Sequence, residues 1–343
     1  MNQRFHCVLV VIALSSIFTA TRATAQCSGL ADISGQSLQS RYAGAVNVVQ
    51  NNPTGFGDAA PANTGDTEGS ELDRLFITNN ASTLYIGITG NTPRHDNVGN
   101  TVLVFIDTDS GASPTQLNTA GFAGPNISQA LKNMSGVTLD FDPDYCIALW
   151  NDIGLSGGWH GVLHNLHNPT DAGVLLTQGT DFAVDDSNLL GVSDTPGDDP
   201  LQQQEQAVSA VNGFEFATAL ATLGINSSST IRVQALVANS AGALSNQSLP
   251  PLKPTSGTDG GKVACLGIYD ATNNPIDLSS GTYPANQYVS VTLTPGGLAP
   301  VLPIDGNGIP SPATGYPAGT ERAKQNNFTC FGDAHAYNPG VTG

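Results

Sequence analysis

Five aspartates, three histidines and two tryptophans carry most of the chemistry available to this chain of 343 residues. Asp140, Asp142 and Asp144 alternate along the chain. In an extended segment they would share one face at about 7 Å spacing, where like charges repel unless water or a cation neutralises them. With Asp107 and Asp109 they are candidates for an oxygen-lined calcium site; the alternative is an acidic loop facing water. Asp107-Thr108-Asp109-Ser110-Gly111 opens like a calcium loop, but its glycine comes one position early. The twelfth position is Asn118 rather than a bidentate acid, so it is not an EF-hand.

His160, His164 and His167 follow Trp159. On a strand His160 and His164 share a face and His167 opposes them. Two imidazoles on one face can hold a transition metal, although ordinary polar strand residues are the plainer reading. Tyr145, Trp150 and Trp159, with Asn151, Asp152 and His160 beside them, suit a sugar platform of rings flanked by polar groups. The competing assignment is core packing, the commoner place for a strand Trp. Gly154-Leu155-Ser156-Gly157-Gly158 matches G-x-S-x-G, which needs a strand before the serine and a helix after it. Residues 159–166 read instead as a strand, so the match is accidental. Glu71 and Glu215 are the obvious glutamates for a glycosidase pair. Glu215 alternates with Phe214 and Phe216 and so points away from the face they bury, and nothing brings it near Glu71. No catalytic residue is assigned, and a non-enzyme is expected.

The elements that must position these groups are strands. Charged residues make up 11% of the chain and aromatics 6%, with 39 Gly and 21 Pro, which argues against a coiled coil, a helical bundle and a nucleic-acid binder. Short apolar runs recur at 75–77, 84–88, 147–150, 161–166, 214–220, 231–238 and 288–293. Val102-Leu103-Val104-Phe105-Ile106 is continuously apolar and predicts a strand buried on both faces. Ile127, Leu131 and Met134 recur at helical spacing, with Asn126 to cap the start and Gly136 to end it. The expected fold is all-β, a two-sheet antiparallel β-sandwich of jelly-roll type with one short helix. Loops are expected at 53–69, 194–200 and 250–261, and an irregular tail at 297–343.

Residues 1–25 read as a secretory signal: Arg4, an apolar core over 8–14, and a small-residue cleavage site Ala23-Thr24-Ala25. The sandwich domain is then 26–296. Removing Arg4 and Arg22 takes the formal charge from −17 to about −19, which repels nucleic acid and anionic membranes. No later apolar run is long enough to span a bilayer. Export to the extracellular space or cell surface would make Cys27, Cys146, Cys265 and Cys330 candidates for two disulfides, with three connectivities open.

Several segments, in order, resemble a family of secreted, mostly uncharacterised bacterial β-sandwich proteins, distantly similar to DOMON and family-9 carbohydrate-binding modules. They are Thr54-Gly55-Phe56-Gly57-Asp58, Gly69-Ser70-Glu71-Leu72-Asp73, Leu84-Tyr85-Ile86-Gly87-Ile88-Thr89-Gly90-Asn91 and Val104-Phe105-Ile106-Asp107-Thr108. Phe141-Asp142-Pro143-Asp144-Tyr145, Phe214-Glu215-Phe216-Ala217 and Leu244-Ser245-Asn246-Gln247 complete the set. The resemblance implies export and a sandwich fold, and it supplies no catalytic residues. It favours a secreted, non-catalytic protein that binds carbohydrate or a cell-surface polymer through Tyr145, Trp150, Trp159 and His160. A structural or adhesive matrix protein, stabilised by disulfides and calcium, is the first alternative; a hydrolase with an unrecognised site is the second.

Overall fold

The computed structural model describes residues 33–50, 70–92, 100–109, 115–151, 158–188 and 207–252, and most of 266–296 (266–267, 269–270, 273–279, 282–283 and 286–296). The expected signal, most of the expected loops and the tail lie outside the described residues.

The alternating segments form two antiparallel sheets. Sheet A runs β1 (Val46–Val49), β2 (Glu71–Asn79), β3 (Thr83–Asn91), β11 (Gly213–Ala219) and β10 (Phe182–Val184). Sheet B runs β13 (Leu244–Leu249), β12 (Thr230–Ala238), β4 (Thr101–Asp107), β7 (Tyr145–Asn151), β8 (Trp159–Asn165) and β9 (Val174–Leu176), with β14 (Val289–Thr292) also paired to β12. A small ribbon joins β5 (Thr115–Gln116) to β6 (Thr138–Leu139).

The sheets pack face to face because each strand sends every second side chain inward. Leu75 and Ile77 of β2, Ile86 and Ile88 of β3, and Phe214 and Phe216 of β11 meet Val104 and Ile106 of β4, Ile147 and Leu149 of β7, and Ile231 and Val233 of β12. The continuous apolar run of β4 has a second purpose. Leu103 and Phe105 face away from this core into another, built with Phe122, Leu131, Met134, Leu139, Phe141, Cys146 and Leu236. Sheet B is therefore covered on both faces, as that run predicted.

Helix α2 (Gln129–Asn133) supplies much of this cover and stands where the Leu131 and Met134 spacing places it. Its cap is Ser128, whose Oγ accepts from the Leu131 N–H, rather than Asn126. A further helix, α1 (Leu38–Arg41), has no apolar period of its own. It forms because Leu38 and Tyr42 pack onto Phe76 and Tyr85 on the outer face of sheet A. Among the described residues no helix is long and apolar enough to cross a membrane.

Candidate functional site

The hairpin register decides where the aromatic residues go. Trp150 lies opposite His160 and Asn151 opposite Trp159. Side chains on one strand alternate between faces, so the two tryptophans part company. Trp159 turns inward and meets the Phe214 ring edge-on at 5.9 Å, and Tyr145 packs against the same inner core. Trp150 and His160 turn outward and stack at 5.5 Å with 16° between their planes, each half-buried. The four residues expected to make one aromatic platform are split between the two faces of the hairpin; Trp150 and His160 alone pair, half-buried, and Trp150 also packs against the second core. Residues 152–157 lie outside the described residues. Trp159 nevertheless opens a strand, so the G-x-S-x-G match lacks the helix that a nucleophile elbow requires.

The aspartates do not share a face. Residues 140–144 are a series of bends between β6 and β7, which removes the alternation that would have aligned them. The Asp140 carboxylate accepts from the Gln287 N–H at 3.1 Å. Asp144 accepts from Thr108 N and Oγ1 at 2.6 and 2.5 Å through one oxygen, and pairs with His167 Nε2 at 2.7 Å through the other. Asp142 is half-buried. Asp107, at the end of β4, accepts from the Asp109 N–H at 2.9 Å and lies 3.2 Å from Arg232 Nη1 across the ladder to β12. Asp107, Asp140 and Asp144 thus each accept backbone or side-chain hydrogen bonds, and the Arg232 guanidinium lies against Asp107. Among the described residues no three His, Cys, Asp or Glu side chains form a group that could hold a metal ion.

Burial pushes the Asp107 carboxyl up to about 6, against the Arg232 charge and the Asp109 N–H, which act to lower it. The native state thus holds this proton more tightly than the unfolded chain, whose value is 3.8. The stabilisation is complete below about pH 4 and is lost as pH rises towards 6. Asp107→Asn should be at least as stable as the parent near pH 7, with the difference shrinking towards pH 4. Urea midpoints across that range measure it. A clear loss in the variant at pH 7 would show instead that the ionised Asp107–Arg232 pair is net stabilising.

His160 and His164 share the outer face as expected, but they are not a ligand pair. The fully buried His164 ring stacks on Phe122 at 5.3 Å and 16°. Its Nδ1 hydrogen-bonds Asp171 Oδ2 at 2.8 Å, and its Nε2 accepts from the Ser128 N–H at 3.5 Å. Ser, His and Asp thus meet in an order that resembles a hydrolytic triad. However, Nε2 faces a backbone amide, the Ser128 hydroxyl caps α2, and Ser128 and His164 are buried. It is a structural cluster. Asp171 lies outside the strand pattern that marked His164, so the pair carries no local signal.

Glu215 does point away from Phe214 and Phe216, yet it is buried too. The segment carrying α1 lies across it: Oε2 accepts from Ser34 N at 2.8 Å, Gly35 N at 3.1 Å and Arg41 Nη1 at 2.5 Å, and Oε1 from the Tyr42 hydroxyl at 3.3 Å. Burial, then the Glu215 charge, raises the Tyr42 phenol well above its usual value. Opposite Glu215 stands Gly87, where a Cβ would come within 2.9 Å of the Tyr42 ring. Gly87 is needed to seat that ring. Glu71 pairs with Asn91, four residues along β3 from Gly87, so about 13 Å of strand separates it from Glu215. That exceeds the spacing of either glycosidase geometry.

Two of the segments quoted for the family resemblance meet at the edge where the sheets approach. Gln247 Oε1 accepts from the Leu72 N–H at 3.0 Å, and Gln50 Nε2 donates to the Ser248 carbonyl at 3.0 Å. Both glutamines are fully buried and tie sheet A to sheet B. Cys146 is a fully buried thiol, and burial raises its pKa well above the usual value. Its three candidate disulfide partners lie outside the described residues.

Fold and site together define an all-β antiparallel sandwich whose buried polar groups serve structure and whose surface carries a stacked Trp150–His160 pair. Compared with protein-family models, curated proteins and solved structures, the chain finds no match.

Proposed function

We propose that this is a secreted, non-catalytic β-sandwich that binds carbohydrate or a cell-surface polymer at the Trp150–His160 pair. The supporting observation is the pair itself: two flat rings stacked across β7 and β8 and half-buried, on the face of sheet B that points away from the space between the sheets, where Trp150 also packs against the second core. An indole stacked on an imidazole offers a pyranose both an apolar surface and a hydrogen-bonding nitrogen. Its neighbours Tyr145 and Trp159 act from the opposite face as packing, not as contacts.

Trp150→Ala is expected to weaken retention on insoluble polysaccharide at least about tenfold, with a lower thermal midpoint because Trp150 also packs against the second core. Affinity electrophoresis over a panel of neutral and acidic polysaccharides measures it. A folded parent protein that no polysaccharide retards would overturn the proposal.

One observation favours the structural or adhesive reading instead. The edge strand β9 exposes Val174 by 63% and Leu175 by 57%, an unusual apolar showing on an open sheet edge. Sedimentation of the same preparations separates the readings: a stable oligomer without polysaccharide retention supports the adhesive one.

A further inference from the structure

The packing around His164 joins three separate pieces of chain. The imidazole rises from β8, its Nδ1 is bound to Asp171 in the turn after β8, and its Nε2 takes the Ser128 N–H at the start of α2. Phe122 closes one ring face. Gly173, with φ of 70°, lets the turn close so tightly that a Cβ there would come within 2.9 Å of His164 Cε1 and 2.6 Å of Val162 Cγ1. With one N–H to give and one lone pair to fill, only the neutral imidazole protonated at Nδ1 satisfies both partners.

We propose that His164 is an acid-released latch: a second proton undocks the cover of residues 119–134 from the outer face of sheet B while the two-sheet core stays folded. The imidazolium would turn an Nε2–H towards the Ser128 N–H, donor against donor, and place a charge in an apolar enclosure. The ionisable groups on the surrounding elements are Asp171 in the turn, Cys146 opposite on β7, Lys132 on α2, and the Asp144–His167 pair further along the hairpin. Of these, Asp171 acts on the ring, favouring the charged form, but burial outweighs it and lowers the pKa below 6.5. Because the native state binds this proton less well than the unfolded chain, the stabilisation is complete above about pH 6.5 and is lost as pH falls below it. The cover shields Leu103, Phe105 and Cys146, so release would bare an apolar face.

Hydrogen exchange followed by mass spectrometry on the full chain near pH 7.5 and about pH 5, corrected for intrinsic rates, tests the latch. Peptides from 119–134 are expected to exchange at least about tenfold faster at the lower pH, with β3, β4 and β11 unchanged. His164→Gln should make exchange of the cover independent of pH, Asp171→Asn should move the onset to lower pH, and His167→Gln should change nothing. An unchanged cover in the parent protein, or acceleration spread evenly over both sheets, would overturn the proposal. So would a His164→Gln variant with the parent's pH response. Should that variant fail to fold, the parent's exchange map and the direction of the Asp171→Asn shift still decide.

Discussion

Glu215→Ala is expected to cost about 3–5 kcal/mol of folding stability, the range for stripping one partner from a buried ion pair. The carboxylate lies beneath the α1 segment and accepts from two backbone N–H groups, the Arg41 guanidinium and the Tyr42 hydroxyl. Removing it takes the Glu215 carboxylate from Arg41, only 13% exposed, and from the Ser34 and Gly35 amides that donate to it. The loss appears as a fall in urea midpoint and a melting temperature lower by roughly 10 °C. Replacing Arg41 with Met and Glu215 with Leu together should recover much of the loss, because the burial penalty disappears with both charges. A single-variant cost below about 1 kcal/mol would mean that the α1 segment is not docked on sheet A in solution.

Phe105→Ala should rank beside it, at about 3–5 kcal/mol. Phe105 sits mid-strand on β4 and faces away from the space between the sheets, where a simple sandwich would present solvent. Here it is fully buried beneath the cover that α2 helps to form. Phe216→Ala in the inner core is the comparison, since both remove the same ring from a closed site. Equal losses by chemical denaturation confirm a second core; a Phe105→Ala cost under about 1 kcal/mol would show that the outer face is open.

Strands were legible in the sequence wherever burial follows a local period. The alternation of Phe214, Glu215 and Phe216 gave the facing of β11, and the unbroken apolar run of 102–106 gave burial on both sides of β4. The edge strands β1, β9, β10 and β13 were missed as strands. Being short, edge-placed or polar, they carry no hydrophobic period. Helix α1 was missed for a related reason, since it is stabilised by what it covers rather than by its own composition.

The candidate sites were less legible because they depend on parity and long-range contact. Whether Trp150 and Trp159 share a face rests on how many residues the hairpin between them consumes, and proximity in sequence suggested one platform where the register splits the rings between two faces. The aspartates of 140–144 failed as a face because the chain bends there rather than extending.

The sequence alone thus determined that the chain would be β-rich and which positions would be apolar inside its longer strands, because neighbouring residues set a strand's two faces. Only the tertiary structure decided which polar residues would be enclosed. Glu215 is buried by a segment some 174 residues away, and Gln247 bonds a backbone amide 175 residues away. A charge or an amide looks the same in the sequence whether it meets water or a distant donor. The energy that distinguishes them exists only once the sheets have closed.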